Sequence, residues 1–164
     1  MIKLQNLSVR RGIRLLFESV NLTINPGKKV GLTGANGTGK SSLFALLQDQ
    51  LHADHGSVSF PPHWVTAHVA QETPATDMSA LDYALQGDAE YVQLQTALKQ
   101  AEADHDGAKQ SELHDRLAII DAYTARSRAG KLLHGLGFTA EQEDAPVTSF
   151  SGGWRMRLNL AQAL

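Results

Sequence analysis

The chain has 164 residues, 42% of them apolar and 20% charged, which suits one soluble domain with a sizeable core. It has no cysteine, which excludes disulfides and thiolate metal sites. No apolar run is long enough to span a bilayer, and Met1-Ile2-Lys3-Leu4-Gln5 lacks a secretory layout, which suits a cytoplasmic place and would suit other compartments too. The net charge of −2 gives no bulk drive toward nucleic acid, but the charge is unevenly placed. Residues 1–50 carry seven Lys or Arg against two acids, and residues 77–115 carry nine acids against two lysines. The first stretch suits a polyphosphate and the second suits solvated helix faces.

In chain order, Ile2/Leu4, Leu7/Val9 and Val20/Leu22/Ile24 alternate as half-buried strands do. Asn25-Pro26-Gly27 reads as a turn, and Val30-Gly31-Leu32-Thr33 as a short apolar strand running into a glycine-rich loop. A helix is predicted after Lys40, with Leu43, Leu46, Leu47 and Leu51 on one face, followed by strands at 57–60 and 65–69. Ser79 reads as the N-cap of a helix. Leu94/Leu98/Ala101 and Leu113/Leu117/Ile120 predict two more helices with a hairpin turn at His105-Asp106-Gly107. Another helix is predicted through Ala129, Leu132 and Leu133, ending near Gly135, and a last one begins near Ser151. The expected organisation is a nucleotide-binding core at 1–76, a helical lobe at 77–150, and a closing segment at 151–164.

Gly34-Ala35-Asn36-Gly37-Thr38-Gly39-Lys40-Ser41 satisfies every fixed position of the phosphate-binding pattern G-x-x-x-x-G-K-[ST]. A polyphosphate needs several N–H donors converging on one anion. Glycines let the main chain turn with positive φ and approach the phosphates without Cβ clashes. The helix that follows adds free N–H groups and its positive dipole end. Lys40 is expected to reach the β- and γ-phosphates, Ser41 to ligate Mg²⁺, and Ser42 to donate to the α-phosphate.

A second motif, Phe150-Ser151-Gly152-Gly153-Trp154-Arg155-Met156-Arg157-Leu158, opens the last helix. A phosphate loop, then Gln71 after a predicted strand, then a helical lobe, then Ser-Gly-Gly before a helix resembles the ATP-binding cassette (ABC) ATPases. The run Ser151 to Leu164 resembles the first cassette of the ABC-F branch. The resemblance implies an α/β P-loop NTPase fold of the ABC nucleotide-binding type, with an N-terminal antiparallel β-subdomain and a helical lobe. It implies that Ser151, Gly152, Gly153 and Trp154 cap ATP held by a second cassette of the same polypeptide. It gives Gln71 the role of touching Mg²⁺ and the attacking water. It also implies a partner in the ribosome, through rRNA or tRNA, and no membrane domain.

Eighty residues separate Gln71 from Ser151, longer than transporter cassettes usually need. ABC-F first cassettes carry an inserted helical arm there, and residues 88–115 are its expected place. That stretch is acidic where an RNA-gripping arm would be basic, so either the arm touches protein or other parts carry the RNA contacts. Arg126, Arg128 and Lys131, at near-helical spacing, are candidates for these, with a solvated helix face as their other reading. Many ABC ATPases stack adenine on an aromatic residue upstream of the loop. Here Arg11 takes that place and could stack by cation–π contact.

An ABC domain continues past the signature helix to a strand ending in Asp and Glu and to a switch histidine. Neither has a counterpart among these residues. The resemblance therefore implies a truncated domain, inactive in hydrolysis by itself, with apolar surface open beside the phosphate loop and low stability. Two other readings stand beside the ABC-F one: the ATPase subunit of a membrane transporter, and a nucleotide-dependent binding module without catalysis.

Overall fold

In the computed structural model, which describes residues 1–164, the chain divides into two compact units, Met1–Thr66 and Ala67–Leu164. The cut falls ten residues before the expected one at 76. It leaves Gln71 in the second unit, together with the helix that follows Ser151. The reason is packing: the closing helix lies against helices of the lobe and does not form a segment of its own.

The first unit is a three-stranded antiparallel sheet of order β2-β1-β3, with β1 Ile2–Arg11, β2 Arg14–Ile24 and β3 His55–Ser59, and one helix, α1 Lys40–Leu47. The sequence shows two apolar pairs, Ile2/Leu4 and Leu7/Val9, out of phase by one residue. The structure joins them in one strand through a bulge, with Asn6 at φ 47° and the register shifting between Leu4 and Leu7. The shift keeps Leu4, Leu7 and Val9 all buried, against Leu46 of α1. Two contacts hold the bulge. Asn6 and Asn21 exchange hydrogen bonds of 3.0 Å across the β1–β2 pair. On the other side Gly56, at φ 81°, lies so close to the Gln5 and Asn6 carbonyls that a Cβ would overlap them.

The expected strands at 30–33 and 65–69 do not form; both stretches are irregular. A strand exists only through its ladder, and β1 is already paired on both edges. Val30 and Val65 consequently stand 60% and 96% exposed.

The second unit is helical: α2 Ala80–Leu85, α3 Ala89–Ala103, α4 Gly107–Ile119, α5 Ala125–Gly135, α6 Ala140–Glu143 and α7 Gly152–Ala163, with 3-10 turns at Ala122–Thr124 and Val147–Ser149. Its main core gathers Leu81, Tyr83, Leu133, Phe138, Phe150 and Leu158. The expected arm is a helical hairpin, α3–α4. It turns at His105 (φ 56°) and closes on its own apolar seam of Leu94, Leu98, Leu113 and Leu117. The Asp88 and Asp106 carboxylates cap α3 and α4, accepting from the Tyr91 and Lys109 amides.

Ser79 caps α2 as its sequence predicts: its hydroxyl accepts from the Asp82 amide at 3.0 Å and donates to the Asp82 carboxylate at 2.8 Å. Two of the three cations in the candidate RNA cluster are committed elsewhere. Arg126 pairs with Asp82 at 2.7 Å and Arg128 with Asp121 at 3.0 Å. Both pairs are about half exposed, so they hold these side chains only weakly.

Candidate functional site: a phosphate loop and a signature helix

Residues 34–41 bend from irregular chain into α1, and three glycines carry the bend. Gly34, Gly37 and Gly39 have φ of 154°, 78° and 98°, values costly for any residue with a Cβ. Gly39 is also constrained in space, since a Cβ there would come within 3.1 Å of the Leu16 side chain. The Thr38 hydroxyl donates to the Ala35 carbonyl at 2.9 Å and closes the loop from inside. Lys40 opens α1 and folds back, its Nζ donating to the Gly34 and Ala35 carbonyls at 2.7 Å each. The ammonium is thus held over the loop, where the negative charge of a phosphate would sit.

The α1 N-terminus has no side-chain cap and no acid in its first turn, so its orphan N–H groups remain available to an anion. Ser41 and Ser42 follow on that first turn. Ala35 and Asn36 complete the loop in exposed positions. A recess of about 440 Å³ borders the loop, walled by Leu4, Phe17, Leu22 and Leu32.

The guanidinium that meets this loop is Arg14. Its Nη1 lies 3.5 Å from where a Gly37 Cβ would be, and no acid pairs with it. Arg11, the expected adenine-stacking residue, sits opposite Arg14 in the β1–β2 hairpin and is exposed. The sequence does carry a signal for Arg14. Gly12-Ile13 forms a two-residue turn between strands, which sets Arg11 and Arg14 side by side.

A Mg²⁺ fits this loop only as an ion carried by the phosphates. No three His, Asp or Glu converge to hold a metal; of the two loop hydroxyls, that of Thr38 donates to the Ala35 carbonyl and that of Ser41 stands on the first turn of α1.

In the helical unit, Gln71 is exposed and lies on a turn facing the start of α7. The cleft between them has about 300 Å³ and is lined by Gln71, Glu72, Thr73, Gly152, Arg155 and Met156. Ser151 is the N-cap of α7, yet its hydroxyl makes no cap bond, so Ser151, Gly152 and Gly153 present free donors to solvent. Trp154 is different. Its ring packs edge-on to Phe138 at 4.8 Å, and Arg157 lies over it at 4.6 Å. The indole roots α7 in the lobe, a contact made within the helical unit itself.

The family described as ABC transporter matches residues 17–164. The chain belongs to the ATP-binding cassette family. Over all 164 residues this cassette is 54% identical to "Probable ATP-binding protein YheS" of Escherichia coli K12, covering 26% of that protein. It is equally similar to the Haemophilus influenzae protein of that name. It is 37% identical over 160 residues to ATP-binding cassette sub-family F member 2 of Bos taurus, covering 97% of this chain and 25% of that one. The cassette thus spans about a quarter of the length of the curated relatives it matches. Among solved structures, a dimeric bacterial ABC transporter cassette aligns with a TM-score of 0.66 at 21% identity, over 100% of this chain and 69% of that one, a likeness of fold. The similarity of this cassette to proteins named as sub-family F members runs over nearly the whole chain. No helix in it is long and apolar enough to cross a membrane.

Proposed function

We propose that the chain is the nucleotide-holding portion of the first cassette of an ABC-F ATPase, which in the complete protein hydrolyses ATP to ADP and phosphate and acts on the ribosome in the cytoplasm. The observation that carries the reading is the phosphate loop: three positive-φ glycines, an uncapped helix start, and Lys40 held over the Gly34 and Ala35 carbonyls. Likeness to sub-family F proteins over nearly the whole chain supports the choice of branch.

ATP entering the loop exchanges the carbonyl partners of Lys40 for phosphate oxygens, an exchange of neutral acceptors for charged ones that favours binding. The backbone N–H groups from Gly37 to Ser41 orient the phosphates, and Arg14 adds charge at Gly37. Mg²⁺ supplied with ATP would neutralise charge on the phosphate oxygens, with Ser41 as its protein ligand. Gln71 acts in hydrolysis, and Ser151, Gly152 and Gly153 offer their donors to ATP held by a second cassette. The hydrolytic Asp-Glu pair of the family has no counterpart in residues 1–164, so these residues alone bind ATP and turn it over at background.

Lys40→Ala should weaken ATP binding about ten- to a hundredfold, the loss of charge-assisted bonds worth about 1.5–3 kcal/mol. Unaltered affinity by titration calorimetry would overturn the phosphate-loop reading. The ribosomal role is tested by co-sedimentation of the longest polypeptide the gene encodes. ATP-dependent pelleting with ribosomes, lost in Lys40→Ala, is expected; pelleting indifferent to nucleotide would sink it.

A further inference from the structure

We infer that Asn159 is a positioning residue that fastens the Gln71 turn to the signature helix. Asn159 lies in the apolar run Leu158-Asn159-Leu160-Ala161 of α7 and is 1% exposed. A buried amide must use its polar atoms, and this one spends them on the turn that carries Gln71. Its Nδ2 donates to the Ala70 carbonyl at 2.8 Å, and its Oδ1 accepts from the Thr73 hydroxyl at 3.0 Å. Ala70 and Thr73 bracket Gln71 and Glu72, so a single side chain grips both ends of the turn.

Tyr83 of α2 completes the arrangement, its hydroxyl donating to the same Oδ1 at 2.8 Å. Burial raises the Tyr83 pKa, which keeps that hydroxyl protonated and able to donate. The amide cannot be flipped without facing its NH₂ to two donating hydroxyls and its oxygen to a carbonyl. Every buried side-chain polar atom is satisfied. Gln71 and Glu72 are left pointing outward, across the cleft from Gly152 and Arg155. The turn and the first turn of α7 therefore keep a fixed separation, and a displacement of one carries the other.

The inference rests on the reading that Gln71 serves hydrolysis, and its test separates the two. Asn159 belongs to the helical unit and makes no hydrogen bond to the phosphate loop. In the longest polypeptide the gene encodes, Asn159→Leu keeps the branched shape of the side chain and removes all three bonds. It should lower kcat about ten- to a hundredfold, the scale expected when a reacting group is displaced by an ångström, while KM for ATP stays near its original value. Hydrogen exchange at the amides of 70–73 should quicken while that of α5 and α7 holds. Asn159→Asp sets a carboxylate against the Ala70 carbonyl and should behave alike. The pair Gln71→Ala with Asn159→Leu should be no slower than Gln71→Ala alone.

Unchanged turnover and exchange in Asn159→Leu would overturn the inference. So would exchange that quickens across the whole helical unit, the mark of a merely structural role. If Gln71→Ala keeps full turnover, the role of Gln71 fails instead, and exchange at 70–73 alone decides the clamp: faster upholds it, unchanged sinks it.

Discussion

Arg14 and Arg11 face each other across one turn but stand differently toward the phosphate loop. Only Arg14 is brought to Gly37, and it has no acidic partner to share its charge. Arg14→Ala should therefore weaken ATP binding by about 1 kcal/mol, roughly fivefold, with a smaller effect in high salt. Arg11→Ala should change it less. Equal losses in a nucleotide titration would return the base-stacking role to Arg11. The bend of the loop into α1 was legible beforehand, because its pattern is local and each glycine answers to its own φ, whereas the strand expected to lead into it is irregular chain. Arg14 and Asn159 were not. One depends on which side of a hairpin a long side chain folds, the other on which of several buried helix positions meets a distant turn. A lone Asn within an apolar run was nonetheless a readable sign that something polar awaited it.

At the scale of elements, α2 shows how one cap joins helix to helix. Burial works against ionisation of Asp82, but hydrogen bonds from Ser79 and Arg126 and the charge of Arg126 outweigh it, so the carboxyl titrates below its usual 3.8. A folded-state pKa below the unfolded one contributes stability that is complete above the unfolded value and lost as pH falls through the folded one. Thermal midpoints of the original protein and of Asp82→Asn should therefore differ at pH 6 and converge in the acid range below 3.8. A gap that persists there would remove the ionic part of the account. Both side chains are about half exposed, so the ionic share is small. Ser79→Ala should cost about 1 kcal/mol.

Gly87, just past α2, meets the Gln162 main chain of α7 so closely that a Cβ would overlap the carbonyl. Gly87→Ala should destabilise the helical unit by about 1–3 kcal/mol, readable by denaturant unfolding. Helices were legible here because their apolar spacing and caps are local: Ser79 and the turn at His105 lie where the sequence put them. The strands at 30–33 and 65–69 carried an equally good pattern, yet a strand also needs a neighbour, which a pattern cannot supply.

In the molecule as a whole, residues 60–78 link β3 to α2 without helix or strand. Within that link, residues 70 and 73 are tied down by Asn159, and 76 and 78 bond back to 147–148. Limited proteolysis should therefore cut first at 61–66, with Trp64 and Val65 exposed, and spare 70–78. Peptide mass mapping that finds 70–73 cleaved as early as 61–66 would contradict the ties.

The α3–α4 hairpin has one more implication. Its seam closes on itself, and Tyr91 alone packs against both that seam and the main helical core. Whole helical turns added or removed near His105 would leave this aromatic root undisturbed. The hairpin's length is therefore adjustable in steps of one turn without repacking the main helical core.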